Sequence, residues 1–214
     1  EGNLMSNWYA WLNMLVGLIV IVNPLLGVSS ITTLASDETS EQRRATARMA
    51  ALTVGVVMSI SAIAGEAVLA LFGIGIPEFH VGGGILLLLI AVSMLNARMS
   101  GVRHTAAESE EAQMREQVGV VPIGIPLLAG PGAISTAILY AHKGKGWLDM
   151  VVLLGEIWLV AALVWIALLM GDRLMTILGQ TGMNIASRIM GLLLAAIAVG
   201  FVTQGLKVLL PGLA

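Results

Sequence analysis

Apolar positions along the chain gather into six long runs separated by short polar links. The runs cover about residues 8–34, 46–74, 79–97, 120–141, 148–170 and 183–209. A helix needs roughly 20 apolar residues to cross the hydrocarbon core of a bilayer, and each run is near or above that length. Inside lipid, a lone strand leaves its backbone N–H and C=O groups unpaired, whereas a helix pairs them within itself. The runs also lack the apolar–polar alternation of a transmembrane barrel. The pattern predicts an all-α polytopic membrane protein with six transmembrane helices.

Two polar links stand out. Residues 35–48, "ASDETSEQRRATAR", lead into the second run, with Ser40 as its expected N-cap and Arg43 in its first turns. Residues 96–119, "NARMSGVRHTAAESEEAQMREQVG", form the longest polar stretch and are rich in acids. This stretch divides the runs three and three. The expected organisation is a first three-span unit over residues 1–99, a cytoplasmic loop over 100–119 and a second three-span unit over 120–214.

The two units resemble each other. "NPLLGVSSITTL" from Asn23 matches "IPLLAGPGAIST" from Ile125, with Pro24 opposite Pro126. "HVGGGILLLLIAV" from His80 matches "RIMGLLLAAIAVG" from Arg188, with Gly83 opposite Gly191. Three is odd, so two such units enter the membrane from opposite sides. The result is a pair of inverted three-helix repeats, a plan common among secondary transporters.

Prolines sit inside the matched first spans. Proline has no N–H, so Pro24, Pro126 and Pro131 each remove one rung of a helical ladder. Gly130 and Gly132 flank Pro131 and widen the backbone's choice of angles. Irregular backbone at membrane depth is tolerated where it is buried in protein or lines a wet cavity. Helices 1 and 4 are therefore expected to be broken, with a site between them near mid-membrane. A half-helix that starts after a break points N–H groups and a positive dipole end into that site. Ser29, Ser30, Ser135 and Thr136 would add hydroxyls and Asn23 an amide. Asn23, Pro24, Ser29, Ser30, Gly130, Pro131, Gly132, Ser135 and Thr136 are thus the candidate substrate-binding residues, suited to a small polar solute with a carboxylate. Prolines also kink helices for packing alone, and that reading stays open.

Composition agrees and narrows the function classes. Hydrophobic residues make up 57% and charged residues 11%, against about 25% charged in soluble domains. There is no cysteine, which excludes disulfides and thiolate chemistry. No basic stripe suggests nucleic acid. The opening "EGNLMSNW" has no positive n-region, so no cleavable signal peptide is expected. His80, His104 and His142 lie in different links with no metal-site spacing. No P-loop and no Ser-His-Asp arrangement occurs. Neither a cofactor nor a metal is expected, and an intramembrane enzyme lacks a nucleophile.

Two acids fall inside the runs, Glu66 in "AIAGEAVLALFG" and Glu156 in "VVLLGEIWLVAAL". An intramembrane carboxylate is a functional candidate by default, here for proton coupling. The alternative is a glutamate that reaches the outer interface or pairs with a lysine of the Lys143–Lys145 link.

At these residues the chain resembles the MarC/SnatA family of six-span inner-membrane proteins. The resemblance rests on "NP" in span 1, "GIGIPEFHVGGGILLLLIA" from Gly73, "IPLLAGPGAIST" in span 4 and "SRIMGLLLAAIAVGFVTQGL" from Ser187. It covers nearly the whole chain. The chain departs from it at His80, where many relatives have arginine. The resemblance implies a transporter of small neutral amino acids such as alanine and glycine, with export the direction in bacteria. Arg188 matches the family arginine at the start of span 6. It either holds a substrate carboxylate, pairs with an acid such as Asp172, or snorkels to the interface. The expected partners are the amino acid, protons and the lipid bilayer; an oligomer stays open. A pore for small solutes is the alternative function.

Charge sets the orientation. Arg43, Arg44, Arg48, Arg98, Arg103, Arg115, Arg173 and Arg188 lie in or beside links 1–2, 3–4 and 5–6, while Lys143, Lys145 and Lys207 lie on the other side. The positive-inside rule puts the arginines in the cytoplasm and both termini outside, in an inner membrane. Single cysteines at Ser6 and Ser109 are therefore expected to react oppositely in intact cells. An impermeant thiol reagent added outside labels Ser6→Cys and spares Ser109→Cys; the reverse result overturns the orientation.

Overall fold

The computed structural model describes residues 4–34, 39–96, 128–144 and 146–213, and side chains for these except residues 4–7, 30–34 and 213. Helix is the element that keeps backbone groups paired in lipid, and the described regular elements are helical throughout. They are α1 (Leu4–Val22), α2 (Pro24–Leu34), α3 (Ser40–Leu71), α4 (Ile76–Leu95), α5 (Pro131–Lys143), α6 (Trp147–Leu169) and α7 (Gly171–Leu209), followed by a 3-10 turn at Pro211–Leu213. Trp8–Ser29 across the α1/α2 break, α3, α4, α6 and α7 are each long and apolar enough to cross a membrane. Of the expected fourth span, the structure describes Leu128 onward. Pro126, the matched segment before it and the 100–119 link lie outside the described residues.

The helices put small residues inward and large apolar ones outward. On α3, Ala47, Ala50, Val54, Met58, Ala62 and Gly65 are buried. Leu52, Val56, Ile60 and Ile63 on its other face are exposed. Lipid tails are as apolar as leucine, so close packing of small residues holds such helices together. Polar ends finish the helix. Thr39, not Ser40, is the N-cap of α3: its side chain accepts from the Gln42 N–H, and Gln42 Oε1 accepts from the Thr39 N–H. The reciprocal pair with Gln42 at N3 makes Thr39 the better cap, one residue before the expected one.

Two ion pairs mark opposite ends of α3. At its start, Arg43 Nη1 lies 2.9 Å from both carboxylate oxygens of Asp172 at the start of α7. The arginine-bearing links 1–2 and 5–6 therefore share one face, as the charge count requires. Asp172 is thus taken by Arg43 rather than by Arg188, which is exposed on α7. Such a surface pair contributes at most about 1 kcal/mol, so it reports sidedness more than stability. At the far end of α3, Glu66 pairs with His142 at 3.3 Å. On the arginine face, α7 is interrupted at Gly179, whose φ of 61° and ψ of 179° suit glycine alone.

The tightest seam runs between α4 and α7, which lie antiparallel. Gly205 meets Pro77, Val81 and His80 near the start of α4, and Gly191 meets Ala91, Met94 and Leu95 near its end. Between them, a Cβ on Gly84 would lie 2.7 Å from Val202 Cγ2 and 2.8 Å from the Ala198 carbonyl oxygen. Real Cβ atoms do not approach so closely, so Gly84 is required by the backbone contact. Gly82, two residues earlier, has nothing within 4 Å of its missing Cβ.

This contrast yields a paired test. Gly84→Ala is expected to lower the thermal midpoint in detergent, by about 1–3 kcal/mol of overpacking strain. Gly82→Ala is expected to leave it unchanged or raise it, because alanine favours a helix interior by roughly 0.5–1 kcal/mol over glycine. Equal midpoints for the two variants would show that the seam is loose.

Candidate functional site

Two half-helices start with proline at their first position, α2 at Pro24 and α5 at Pro131. Proline suits that position because the N–H it lacks would have had no partner there. The breaks are thus helix starts rather than kinks inside continuous helices. Asn23 joins α1 to α2 with φ 49°, the left-handed region that asparagine tolerates better than most residues. Its N–H donates to the Ile19 carbonyl at 2.9 Å, and its own carbonyl accepts from Leu26 at 3.0 Å. Gly130 caps α5 in an extended conformation, without a side-chain hydrogen bond.

One contact links the two breaks. Leu128, just before α5, packs on Gly27 in the first turn of α2, where a Cβ would lie 3.2 Å from either Leu128 methyl carbon. They do not lie at one depth. Gly132 faces Leu87 and Ile90 in the middle of α4, so the start of α5 lies level with the middle of that helix. Asn23 instead reaches Met94, next to the last residue of α4, with Nδ2 3.8 Å from the sulfur. The α1/α2 break is therefore displaced toward the arginine-bearing face. The reason is length: the 19 residues of α1 make about 28 Å of helix before the chain turns.

The polar groups are unevenly placed. Asn23 is 2% exposed, and its Oδ1 has no hydrogen-bond partner among the described residues. An unpaired buried amide oxygen is costly, which makes this atom the strongest mark of a ligand-accepting position. Thr136 Oγ1 donates to the Gly132 carbonyl at 2.8 Å, and Ser29 Oγ to the Leu25 carbonyl at 3.2 Å. Both hydroxyls thus serve their own helices in this conformation. Ser135 is buried against Gly83, with the missing Gly83 Cβ 3.3 Å from its Oγ. The missing Cβ of Gly132 points at Leu87 Cδ2, 2.6 Å away, so Gly132 allows α4 to approach α5. Pro131 is exposed. The side chain of Ser30 lies outside the described ones.

The two intramembrane acids separate. Glu66 has an exposed side chain, at 62%, and pairs with His142 rather than with a lysine of the neighbouring link. Glu156 is 9% exposed in α6, with Oε2 lacking a partner among the described residues. It sits in the helix stretch that presents Leu153, Ile157 and Val160 to the main apolar core. Tyr140 of α5 lies within electrostatic reach of it, and the Tyr140 hydroxyl packs against Gly17 of α1. Glu156 is thus the proton-carrying candidate that geometry favours.

Sequence reasoning missed Met94, Tyr140 and Ser187. Ser187, one turn before Gly191, is buried with its hydroxyl unpartnered among the described residues. Tyr140 carried a usable signal, a phenol four residues beyond Thr136 on the same helix face. Met94 carried none, because methionine is common filler in apolar helices. Among the described residues no group of acids and histidines could hold a metal.

Comparison with known proteins fits this architecture. Residues 8–210 match the family described as "MarC family integral membrane protein". The UPF0056 membrane protein YhcE of Escherichia coli is 37% identical over 198 residues, covering 92% of each chain. The UPF0056 membrane protein YvbG of Bacillus subtilis is 34% identical, over 93% of this chain and 95% of its own length. A UPF0056 membrane protein of Pyrococcus abyssi is 31% identical, over 90% and 92%. No solved structure matches the chain significantly.

The left-handed angle at Asn23 separates backbone demand from side-chain role. Asn23→Gly keeps the angle accessible and removes the unpaired oxygen, so its thermal midpoint is expected to stay near wild type. Asn23→Val forces a β-branched residue into that region, at a cost of about 1–2 kcal/mol or more. Thermal unfolding in detergent is expected to rank Gly above Val; the reverse order would show that the turn does not need φ near 49°.

Proposed function

The chain belongs to the MarC family of integral membrane proteins, and we propose that it is a secondary transporter of small neutral amino acids. One observation carries this reading: Leu128, at the break before the proline-led α5, packs on Gly27 in the first turn of the proline-led α2, which follows the buried Asn23, whose amide oxygen is unpartnered among the described residues. The first-turn N–H groups of a helix lack intrahelical partners and carry a positive partial charge. They suit a carboxylate, while an amide oxygen suits an ammonium group. A zwitterion has both.

In this reading the molecule is built from two inverted three-span repeats, and rocking of one against the other alternates access. The protein resides in the cytoplasmic membrane with the arginine-bearing links inside and both termini outside. Export is its direction. Glu156 exchanges a proton during the cycle. In this reading the protein acts as a carrier rather than as an enzyme. A pore is the competing function. Leu128, Ala129 and Ala133 are buried in one core with residues of α1, α3 and α6, and such close packing favours a carrier over an open pore.

Proteoliposomes loaded with unlabelled alanine test the reading. Labelled alanine outside is expected to accumulate transiently by counterflow, with glycine and serine competing. Linear, non-saturating entry without exchange would identify a pore. Glu156→Gln is expected to retain counterflow while losing the response of net flux to an imposed pH gradient. A variant that responds to the gradient as wild type does would remove Glu156 from the cycle.

A further inference from the structure

A second polar cluster lies away from the breaks, at the face opposite the Arg43–Asp172 pair. There the start of α1, the end of α5 and the last turns of α7 enclose a half-open cavity of about 680 Å³. Small-molecule sites commonly occupy about 300–1,000 Å³. Trp11 and Asn13 of α1, Tyr140 and Lys143 of α5, Asp149 of α6 and Gln204 of α7 line it. Phe201 forms part of its wall and meets His80 edge-on at 5.7 Å and Tyr140 at 6.4 Å.

Lys143 is the distinctive group. Its Nζ stands 5.8 Å from the centre of the Tyr140 ring and 5.6 Å from that of Phe201. Ring faces hold an ammonium group in place without cancelling its charge. Among the described residues Lys143 has no carboxylate partner: the ion pairs join Arg43 to Asp172 and His142 to Glu66. The cavity therefore has a fixed positive charge with aromatic support behind it. Asp149 lines the same cavity and is engaged by a partner of its own, which leaves Lys143 as the charge that takes a ligand's carboxylate. The amide groups of Asn13 and Gln204 add neutral donors and acceptors, and Trp11, Ile197 and Phe201 offer apolar wall for a short side chain.

We infer that this cavity is a second binding subsite, which takes an amino-acid zwitterion by its carboxylate on Lys143. The inference rests on the transport reading for its substrate class. The subsite is separate from the breaks: Asn23 lies at the level of Met94, where α7 has Gly191, whereas the cavity lies at the level of Phe201. Residues 191 to 201 of one helix span about 15 Å. A solute therefore occupies the cavity on the way to or from the breaks, not in place of them.

The cysteine-free sequence permits a test that does not depend on transport. In detergent-solubilised full-length protein, a single cysteine at Gln204→Cys is modified by a neutral maleimide and the rate is followed with added solute. Phe72→Cys, on the exposed end of α3, serves as the reference. Alanine is expected to slow modification of Gln204→Cys and to leave Phe72→Cys unaffected. Acetate is expected to protect more weakly, and ethylamine not at all. With Lys143→Gln added, the alanine concentration for half-protection is expected to rise about tenfold or more, the scale of a lost charge-assisted hydrogen bond. Lys143→Arg is expected to restore it. Unchanged modification with alanine, undiminished protection with Lys143→Gln, or ethylamine matching acetate would each overturn the subsite. Counterflow without protection removes the subsite and keeps the carrier; protection without counterflow keeps the subsite and removes the carrier.

Discussion

Backbone hydrogen bonding in hydrocarbon is the constraint on which this structure depends. Each unpaired N–H or C=O group in lipid costs several kcal/mol, so the chain is helical wherever it can be. Two departures among the described residues, at Asn23 and just before Pro131, gain their meaning from that cost. Each is followed at once by a new helix whose first residue is the one type that needs no N–H partner. Each is also wrapped by protein: Leu128 covers Gly27, and Leu87 and Ile90 cover Gly132. At these breaks, the Asn23 amide oxygen is left unpartnered among the described residues.

Packing follows from the same solvent. With lipid outside, leucine and isoleucine gain little by moving inward, so contact between helices comes from residues small enough to let backbones touch. Gly84, Gly191 and Gly205 set the α4/α7 seam, and the alanine stripe of α3 faces α5 and α6. Polar side chains buried in such packing have few partners within reach. Asn23, Ser59, His80, Glu156 and Ser187 all retain an unpartnered atom among the described residues. They are dispersed along the helices, and Asn23 is the one that coincides with a break in the backbone.

The helical, membrane-spanning character was legible because length and hydropathy alone report it. The proline positions were equally plain, since proline's missing N–H is a property of the residue and not of its surroundings. Depth was harder to read. Matching "NPLL" to "IPLL" suggests equal depths for the two breaks, but depth depends on how far α1 runs before turning, which no motif encodes. Side-chain partners were the least legible. Asp172 could serve Arg188 by sequence proximity, yet a ring of links brings Arg43 to it from 129 residues away. Ser29 and Thr136 read as free hydroxyls in a list of polar residues; on a helix, the carbonyl four residues back is the nearest acceptor. Gly132 reads as room for a ligand and is room for Leu87. The inverted relation of the two halves remains a reading of the sequence, because the first part of span 4 lies outside the described residues.

The glycine seam bears on mechanics as well as packing. Where Gly84 touches the Ala198 carbonyl and Gly205 touches that of Pro77, backbone fits against backbone with no flexible side chain between to absorb a slide. Such an interlocked pair resists shear and moves as one strut. Deformation is left to contacts padded by long side chains, such as Ile138 against Gly65 and Trp158 against Gly55, where rotamers can change. In the rocking proposed above, the α4/α7 seam is then the joint that holds the two repeats together, and the contacts of α3 with α5 and α6 are the surfaces that slide.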